Sequence, residues 1–235
     1  MTIRGGGHDS YGRTVVSTAA QSFLDHNRQS CRAWSGNYSH RAASSARWRR
    51  AQHTDGWVGS VGMVGWSCGG GYGLSSGTWG MVAANILGAK VMQADGHIID
   101  TRDNPELLWA MRGAGQGNFG GVVELRLRAR PTPRYIAGIL VFSLEHAVQV
   151  LSGFQSLVDQ GLPTSFGGEM IINATDELGP AINIFFTWIC DSHSDSHAAE
   201  GMEFKGKLLQ TLQVAPLVDT VGDSIFTPLQ QLTAL

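Results

Sequence analysis

Glycine is unevenly distributed along this chain, and its distribution is the feature that most restricts the fold. The 235 residues include 31 glycines, and 17 of these lie between Gly56 and Gly121. They are interleaved with Val, Trp, Met and Ile, which is not the composition of a flexible linker. A folded apolar region retains glycine where φ must be positive or where the backbone must approach something closely. The distribution therefore predicts that backbone amides of this region line a ligand.

The overall composition excludes several classes of protein. Apolar residues make up 43% of the chain and charged residues 15%, which predicts a folded core rather than disorder. The formal net charge of −2 indicates neither a nucleic-acid binder nor a polybasic membrane binder. No apolar run reaches the roughly 18 residues of a membrane span, and no secretory signal is expected at the N-terminus. The cysteines are odd in number and widely spaced, which argues against a disulfide scaffold or a Cys-based zinc site: Cys31, Cys68 and Cys190.

The first quarter of the chain has two different parts. Residues 3–12 predict a strand end that leads into a tight loop. Residues 13–53 hold seven arginines, no lysine and a single acid, and they show no helical or strand period. A stretch of this kind is typical of a loop or of disorder. A nucleic-acid patch is the alternative interpretation, although its aromatic residues form no recognisable motif.

The next region predicts strands and Gly-rich loops. Residues 57–73 are expected to form a loop. The pair Asp95-Gly96 is a hairpin signal, so strands are expected on either side of it, over residues 86–94 and 97–101. A short helix over residues 105–112 is expected to begin after Asp103 or Asn104.

A second Gly-rich loop, over residues 113–121, precedes an alternating strand over residues 122–130. The apolar face of that strand is expected to hold Val123, Leu125, Leu127 and Ala129. Pro131 and Pro133 end the strand and mark a domain boundary, which divides the chain into residues 1–133 and 134–235.

The second domain is expected to have the order strand, helix, strand, strand, helix, which is typical of a split βαβ layer. Helices would cover the apolar face of an antiparallel sheet, and the mixed face would remain to border a pocket. Strands are expected over residues 136–142, 166–173 and 181–190, and the last of these should place Ile182, Ile184, Phe186 and Trp188 on one face. Two helices are expected to bury Leu144, Ala147, Val148, Leu151, Phe154, Leu157 and Val158 in the first case, and Met202, Leu208, Leu209 and Leu212 in the second.

Three Gly-rich motifs are candidates for binding. Gly5, Gly6 and Gly7 can direct successive N–H groups at an anion such as a pyrophosphate, with His8 beside it; a flexible loop is the alternative. The run from Gly69 to Gly73 lacks the Gly-Lys-Ser/Thr of a Walker loop and could equally be an array of turns. The third motif, residues 113–120, is preceded by a helix and followed by a strand, the reverse of the order in a Rossmann site.

Other candidate residues have ordinary structural explanations. His193, Asp195 and His197 do not have a known metal-binding spacing and fit a solvated loop better. Cys68 has no evident His partner and is better explained as a small packed residue. Glu169, Asn183 and Thr187 lie on predicted strands and could border a substrate, or could be ordinary sheet residues.

Taken together and in this order, the motifs IRGGGHDSYG, VGSVGMVGWSCGGGYGLSSGTWG, ILGAKVMQADGHIID and NPELLWAMRGAGQGNFGGVV resemble the FAD-binding domain of berberine-bridge-enzyme-like oxidases. These enzymes belong to the vanillyl-alcohol-oxidase (PCMH-type) flavoprotein superfamily. The resemblance covers residues 3–12 and about 57–133. It implies an α+β chain, with a partial PCMH-type FAD-binding domain followed by part of a substrate domain whose antiparallel sheet is covered by helices.

The resemblance also implies roles for individual residues. His8 would bond covalently to the 8α carbon of FAD. The cofactor-binding residues would be Gly5, Gly6, Gly7, His8, Gly62, Gly65, Gly69, Gly70, Gly71, Gly73, Asn118, Phe119 and Gly120. A second covalent link is not expected, because Val58 stands where some relatives have Cys, and Ala84 stands where the family often has an acid.

The implied function is FAD-dependent oxidation of a small molecule. A hydride would leave a C–OH or C–N carbon, and dioxygen would be the electron acceptor. Relative to the family pattern the chain is expected to be truncated at both ends, and residues 13–53 are atypical. A truncated, non-catalytic flavoprotein-like fragment is therefore the alternative. The sequence assigns no catalytic base, substrate, compartment or oligomeric state.

Overall fold

A computed structural model describes residues 61–114, 117–131, 133–175, 177–190 and 195–224, together with the backbone of five strands within the first 52 residues. The predicted cofactor residues Gly5, Gly6, Gly7 and His8 lie outside the described residues, as does His193. The chain divides into two compact units, Met1–Thr132 and Pro133–Leu235, and each is described by itself. Within the described part, no helix has both the length and the apolar character needed to cross a bilayer.

The N-terminal unit is built on a five-stranded antiparallel sheet. Its strand order is β3-β4-β8-β6-β7, where these strands are Phe23–Asp25, Ser30–Trp34, Gly121–Arg128, Ile86–Met92 and Ile98–Asp100. Two small sheets accompany it, one parallel and one antiparallel. They pair β1 (Thr2–Arg4) with β2 (Val15–Ser17), and β5 (Ala51–Gln52) with β9 (Arg130–Pro131).

Strands occur in the segment for which the sequence predicts none. Residues 13–53 contain β2, β3, β4 and β5, and β4 pairs along its whole length with β8, from Ser30↔Arg128 to Trp34↔Glu124. The prediction of loop or disorder over residues 13–53 is therefore wrong where these strands lie. They are only two to five residues long, so each is too short to show a recognisable alternation.

The core of the N-terminal unit lies on one face of this sheet. Helices α1 (Met63–Cys68) and α3 (Pro105–Met111) pack against that face, and a short helix, α2 (Ser76–Trp79), and a 3₁₀ turn (Val82–Asn85) lie between α1 and β6. Helix α1 corrects the prediction of a continuous loop over residues 57–73. The fully buried positions include Met63, Ile86, Met111, Leu125 and Leu127.

The predicted hairpin and helix are confirmed. Strands β6 and β7 pair from Met92↔Ile98 to Lys90↔Asp100, and Gly96 at the turn has φ +87°. Of the two candidate caps of α3, Asn104 is the one used, because its side chain accepts a hydrogen bond of 3.0 Å from the Leu107 N–H.

A register shift in β8 changes which of its residues are buried. Lys90 pairs with Glu124, but the next pair is Val91 with Val122, so Val123 is an extra residue in the ladder. Such a bulge reverses the alternation on one side of it. Val122 is consequently buried where Val123 was predicted to be.

The C-terminal unit confirms the predicted order of elements. Its sheet has the strand order β11-β12-β10-β13, and β14 also pairs with β10. Helix α4 follows β10, and helix α5 follows β12. The elements are β10 (Arg134–Ser143), a 3₁₀ turn (Leu144–His146), α4 (Ala147–Asp159), β11 (Phe166–Thr175), β12 (Gly179–Cys190), α5 (Asp195–Leu212), β13 (Val218–Asp219) and β14 (Gly222–Ser224).

Helices α4 and α5 cover the apolar face of this sheet, as predicted, but partly with other residues. The strand face with Ile182, Ile184, Phe186 and Trp188 is buried in their shared core. The exposed residues Val148, Leu151, Val158 and Met202 were predicted to be buried, whereas Val150 and Phe204 are buried and were not predicted. Gly153 permits the close approach of α4 to α5, since a Cβ there would lie 2.9 Å from the Thr211 carbonyl oxygen.

Candidate functional site

The turn from Gly69 to Gly73 requires glycine at two of its positions because of its own backbone conformation and packing. Gly70 and Gly71 have φ of +117° and +64°, which L side chains rarely adopt. Their carbonyl groups accept hydrogen bonds of 2.8 Å from the N–H groups of Ala83 and Val82, respectively. A Cβ on Gly71 would lie 2.9 Å from the Val82 Cβ. The turn therefore packs directly on the 3₁₀ turn that precedes β6.

Most of the N–H groups of this turn are already used within the segment. The Gly69 N–H donates to the Gly65 carbonyl at 3.1 Å, and the Gly70 N–H donates to the Ser67 carbonyl at 3.3 Å. The Gly73 N–H donates to the Ser76 Oγ at 2.8 Å. These three amides are engaged and do not form the anion nest that successive glycines can form. What the turn offers is a backbone surface with few side chains.

Gly62 and Gly65 belong to helix α1 and differ in their surroundings. Gly62 is the buried N-cap residue, whereas Gly65 is exposed and has nothing within 4 Å of the position that a Cβ would occupy. Gly69, at the end of the same helix, is also exposed. Nothing in the packing requires glycine at Gly65, so this position is the best candidate in the segment for close approach by a bound group.

Asn85 forms a buried polar network beneath the turn. Its Nδ2 donates to the Trp79 and Met81 carbonyls at 2.8 and 2.9 Å, and its Oδ1 accepts from Arg130 Nη2 at 3.0 Å. The Arg130 guanidinium also lies 5.4 Å from the centre of the Trp79 ring, within the range of a cation–π interaction. The network fixes the residues on which Gly70 and Gly71 rest. The network cannot be predicted from the sequence, because no local motif links Asn85 to Arg130, which lies 45 positions away.

The predicted turn of Asn118, Phe119 and Gly120 lies at the other end of β6. Gly120 has φ +123°, and a Cβ there would lie 2.5 Å from the Met92 carbonyl oxygen. Gln93 Nε2 donates to the Phe119 carbonyl at 3.1 Å, and Asn118 Nδ2 donates to the Ala114 carbonyl at 3.3 Å.

The two Gly-rich turns therefore lie near opposite ends of β6. One packs just before Ile86 and the other at Met92, which at about 3.4 Å per residue are roughly 20 Å apart. A single ligand that touched both turns would have to extend along the strand.

The face of the N-terminal sheet away from α1 and α3 is charged but internally paired. Arg126 reaches across Gly88 on the intervening strand and donates to Asp100 at 2.5 Å. A Cβ on Gly88 would lie 2.5 Å from that guanidinium, so glycine is needed for the contact. The hydrogen bond from Arg102, together with the one from Arg126, holds the pKa of Asp100 well below its usual range. Both arginines are already paired with the Asp100 carboxylate, so they are less available to bind an anion than two unpaired arginines would be.

The other residues considered for catalysis or metal binding have structural roles. Cys68 is buried, and this burial raises the pKa of its thiol to about 12, so it is not a nucleophile at neutral pH. The prediction of a loop is wrong for Asp195 and His197, which lie in the first turn of helix α5, and Asp195 accepts a hydrogen bond of 2.7 Å from Arg134 Nη1. Among the described residues, no group of three potential ligands is placed to hold a metal ion.

Three residues considered for substrate contact lie on one face of the C-terminal sheet. Asn183 donates to Asn173 Oδ1 at 2.7 Å, and both belong to this face. Glu169 is opposite Phe185, and Thr187 is opposite Gly167. Thr187 is fully buried. Near β10, the mixed face of this sheet is therefore more apolar and more buried than the alternation of side chains along its strands predicts.

Comparisons with known proteins agree on one group of enzymes. FAD-linked oxidoreductase aurO of Gibberella zeae (strain ATCC MYA-4620 / CBS 123657 / FGSC 9075 / NRRL 31084 / PH-1) is 33% identical over 156 residues, which are 64% of this chain and 28% of the relative. Berberine bridge enzyme-like 25 of Arabidopsis thaliana is 30% identical over 132 residues, or 54% of this chain and 22% of the relative. No family model matches the chain.

The fold is also that of a solved structure. The structure of 6-hydroxy-D-nicotine oxidase from Arthrobacter nicotinovorans superimposes with a TM-score of 0.80 at 21% identity, over 99% of this chain and 52% of that one. This likeness confirms the predicted α+β fold. The chain spans about a quarter of the length of the curated relatives and about half of the solved structure.

Proposed function

We propose, from the relationship of this chain to the berberine-bridge-enzyme-like FAD-linked oxidoreductases over part of their length, that it binds FAD and takes part in the oxidation of a small molecule. The observation that carries the proposal is the agreement of sequence and fold on one group of enzymes. The residues 1–133 would form part of the FAD-binding domain, and the residues 134–235 part of the substrate domain.

The proposed cofactor residues fall into two groups, those that would contact the cofactor and those that would hold the contact surface in shape. Gly65 and Gly69 are exposed, and Gly65 is open at the position of a Cβ, so both suit contact with the cofactor through the backbone. Gly70, Gly71 and Gly73 would act indirectly, by holding that surface in shape.

The pyrophosphate is assigned to Gly5, Gly6 and Gly7, since the described N–H groups of the 69–73 turn are mostly engaged. Gly62 would set the start of helix α1. Asn118, Phe119 and Gly120 would reach the cofactor only at the far end of β6.

The bound FAD would supply a hydride acceptor, and dioxygen would then take the electrons. The protein would supply orientation and exclusion of water. We further propose that His8 forms an N–C bond to the 8α carbon of the cofactor in place of a C–H bond, with dioxygen accepting the two electrons and two protons released. Such a link would prevent loss of the cofactor.

The experiment is a comparison of flavin content in three forms of the full chain. Wild-type chain, His8→Ala and His97→Ala are incubated with FAD and separated from free FAD by gel filtration, and visible absorbance is recorded before and after acid precipitation. His97 is the matched control because its side chain is exposed and pairs only with Asp95 in the described part of the chain.

The proposal predicts yellow protein in all three cases and acid-stable colour in the wild type and His97→Ala alone. Colour that survives acid in His8→Ala would contradict the covalent link. Colourless wild-type protein would contradict FAD binding and favour the alternative of a non-catalytic flavoprotein-like fragment.

A further inference from the structure

Strand β11 forms an open edge of the C-terminal sheet. In the part of the chain that the structure describes, it pairs with β12 alone. Hydrogen-bonded and non-hydrogen-bonded pairs alternate along an antiparallel ladder, and the Ile189 N–H donates to the carbonyl of Ser165, its opposite residue when the register is continued by one pair. The odd-numbered residues of β11 therefore bond to β12. The even-numbered residues direct their N–H and C=O groups out of the sheet, and these residues are Gly168, Met170, Ile172 and Ala174.

This edge lacks the features that keep other strands away. Natural sheet edges are protected by Lys or Pro, by bulges, or by being short. Strand β11 is ten residues long, contains neither Lys nor Pro, and pairs with β12 without a register shift. Glu169 is its only charged residue. Because a row of outward N–H and C=O groups is matched by another strand, the partner that this edge fits is a strand.

Helix α4 lies on the β11 side of the helix layer. Helix α5 packs over β10 and β12, since a Cβ on its Gly201 would lie 3.1 Å from Ile136 and 2.8 Å from Trp188. Helix α4 packs beside α5 and joins β10 to β11. It is therefore placed over β11 and the adjoining part of β12.

The side of α4 that faces this edge is apolar and exposed. At about 100° per residue, Leu151 and Val158 lie within about 20° of each other and about 150° from Gly153, which contacts α5. Both side chains are exposed. On the strand below, Ile172 is opposite the buried Ile182, so it projects toward the helix layer, yet it remains 54% exposed. An apolar strip therefore follows the open backbone of β11.

The strip has the size and the charge of an interface between identical chains. The strand is about 34 Å long and the two layers together are about 20 Å deep, which gives roughly 700 Å². A standard interface needs roughly 800 Å² from each partner. Helix α4 has no charged residue before Asp159. With Glu169 as the single charge on the strand, neither a basic nor an acidic partner is selected, and a copy of the same surface fits.

We infer that β11 and the exposed side of α4 form a homodimer interface, in which β11 pairs antiparallel with the β11 of a second copy about a two-fold axis. The inference goes beyond the proposed function and does not depend on it. Outward residues of one strand must meet outward residues of the other, and a two-fold axis at Ile171 achieves this. Met170 then lies opposite Ile172 of the partner subunit, and Glu169 lies opposite Asn173 of the partner subunit rather than its own copy.

The dimer is tested first by its mass and by a lysine on the edge. Sedimentation velocity of the full chain should give twice the mass of a single chain, with a Kd below about 100 μM. Ile172→Lys should weaken association at least about tenfold, because it places a charge in the apolar strip. Leu217→Lys is the matched control, since Leu217 is 55% exposed and lies on the other side of β10, where its N–H donates to the Val141 carbonyl. That variant should associate like the wild type.

A cross-link tests the register. In a Cys31→Ser background, Ile171→Cys should form a disulfide between two copies when oxidised glutathione takes up the hydrogens of the two thiols. Non-hydrogen-bonded pairs place their Cα atoms about 4.5 Å apart, which a disulfide can span. The other two cysteines, Cys68 and Cys190, are buried. Leu178→Cys, at an exposed position of the same hairpin, lies well away from the axis and should not cross-link.

Three results would overturn the inference. These are a single-chain mass for the wild type at about 100 μM, a dimer that Ile172→Lys leaves as tight as the wild type, and a cross-link in Ile171→Cys that is absent or no stronger than in Leu178→Cys. Far-UV circular dichroism shows whether each variant is folded. If Ile172→Lys is unfolded, the mass of the wild type and the cross-link in Ile171→Cys decide the question.

Discussion

Replacing Asn85 tests whether a buried side chain holds the Gly-rich turn in place. Asn85 makes three hydrogen bonds, two from its Nδ2 to the Trp79 and Met81 carbonyls and one to its Oδ1 from Arg130. At about 1 kcal/mol of net stability for each bond, Asn85→Ala should lower the free energy of unfolding by about 3 kcal/mol. For a chain of this size, that corresponds to a fall in Tm of about 6–12 °C.

The assay is thermal and urea unfolding of the full chain beside two other variants. Asn118→Ala is the matched control, because the Asn118 side chain is exposed and its 3.3 Å bond to the Ala114 carbonyl is weak. Its effect should stay within about 0.5 kcal/mol. Asn85→Asp keeps the acceptor for Arg130 but places a carboxylate oxygen, in place of the Nδ2 donor, against the Trp79 and Met81 carbonyl oxygens, so it should also be clearly less stable than the wild type. A loss below about 1 kcal/mol in Asn85→Ala would show that these three hydrogen bonds do not hold the turn in place.

Three further predictions follow from the described residues. Gly71→Ala should destabilise the chain by more than about 1–2 kcal/mol, because Gly71 has a positive φ and contacts Val82. Gly65→Ala should instead stabilise helix α1 by up to about 1 kcal/mol while weakening FAD binding. A loss of stability in Gly65→Ala, measured by chemical unfolding, would contradict this distinction between the two glycines. Because the pKa of Asp100 is lowered in the folded state, its contribution to stability is present above about pH 4 and is lost as pH falls below that value. In urea unfolding, the stability of Asp100→Asn should therefore depend less on acid pH than that of the wild type. An unchanged dependence would contradict the pairing of Asp100 with the two arginines. In a Cys31→Ser background, Cys68 and Cys190 should not react with a thiol reagent at pH 8 until the chain unfolds, since both are buried, and rapid labelling of native protein would contradict their burial.

The parts of the fold that the sequence predicts correctly depend on local signals. The β6–β7 hairpin follows from Asp95-Gly96, and the start of α3 follows from Asn104-Pro105. The order of elements in the C-terminal unit follows from periods that extend over ten or more residues. The β8 bulge at Val123 leaves no comparable signal, because it arises from pairing with a distant strand.

The faces of the helices show where a sequence pattern is ambiguous. Apolar residues of α4 occur on more than one side, so the pattern alone did not distinguish the exposed Val148 from the buried Val150. Which apolar residues of α4 are buried depends on the surface that the helix packs against, namely α5 and the sheet.

The sequence predicts a candidate site made mostly of glycines, and it does not distinguish among those from Gly62 to Gly73. Composition cannot separate Gly71, which packing requires, from Gly65, which packing does not require. The Asn85 network and the Arg126–Gly88–Asp100 contact were also not predictable, since each joins strands or turns that are far apart in the sequence.

We expect the Gly-rich loops of this chain to hold FAD and His8 to form a covalent bond with it. The most direct measurement is tryptic digestion of denatured, FAD-treated protein, followed by isolation and sequencing of the peptide that carries the flavin. Cleavage after Arg4 and Arg13 releases residues 5–13, which contain His8. We predict that the flavin is found on this peptide. Flavin on any other peptide would rule out the bond to His8, and no flavin retained by the chain before denaturation would rule out FAD binding.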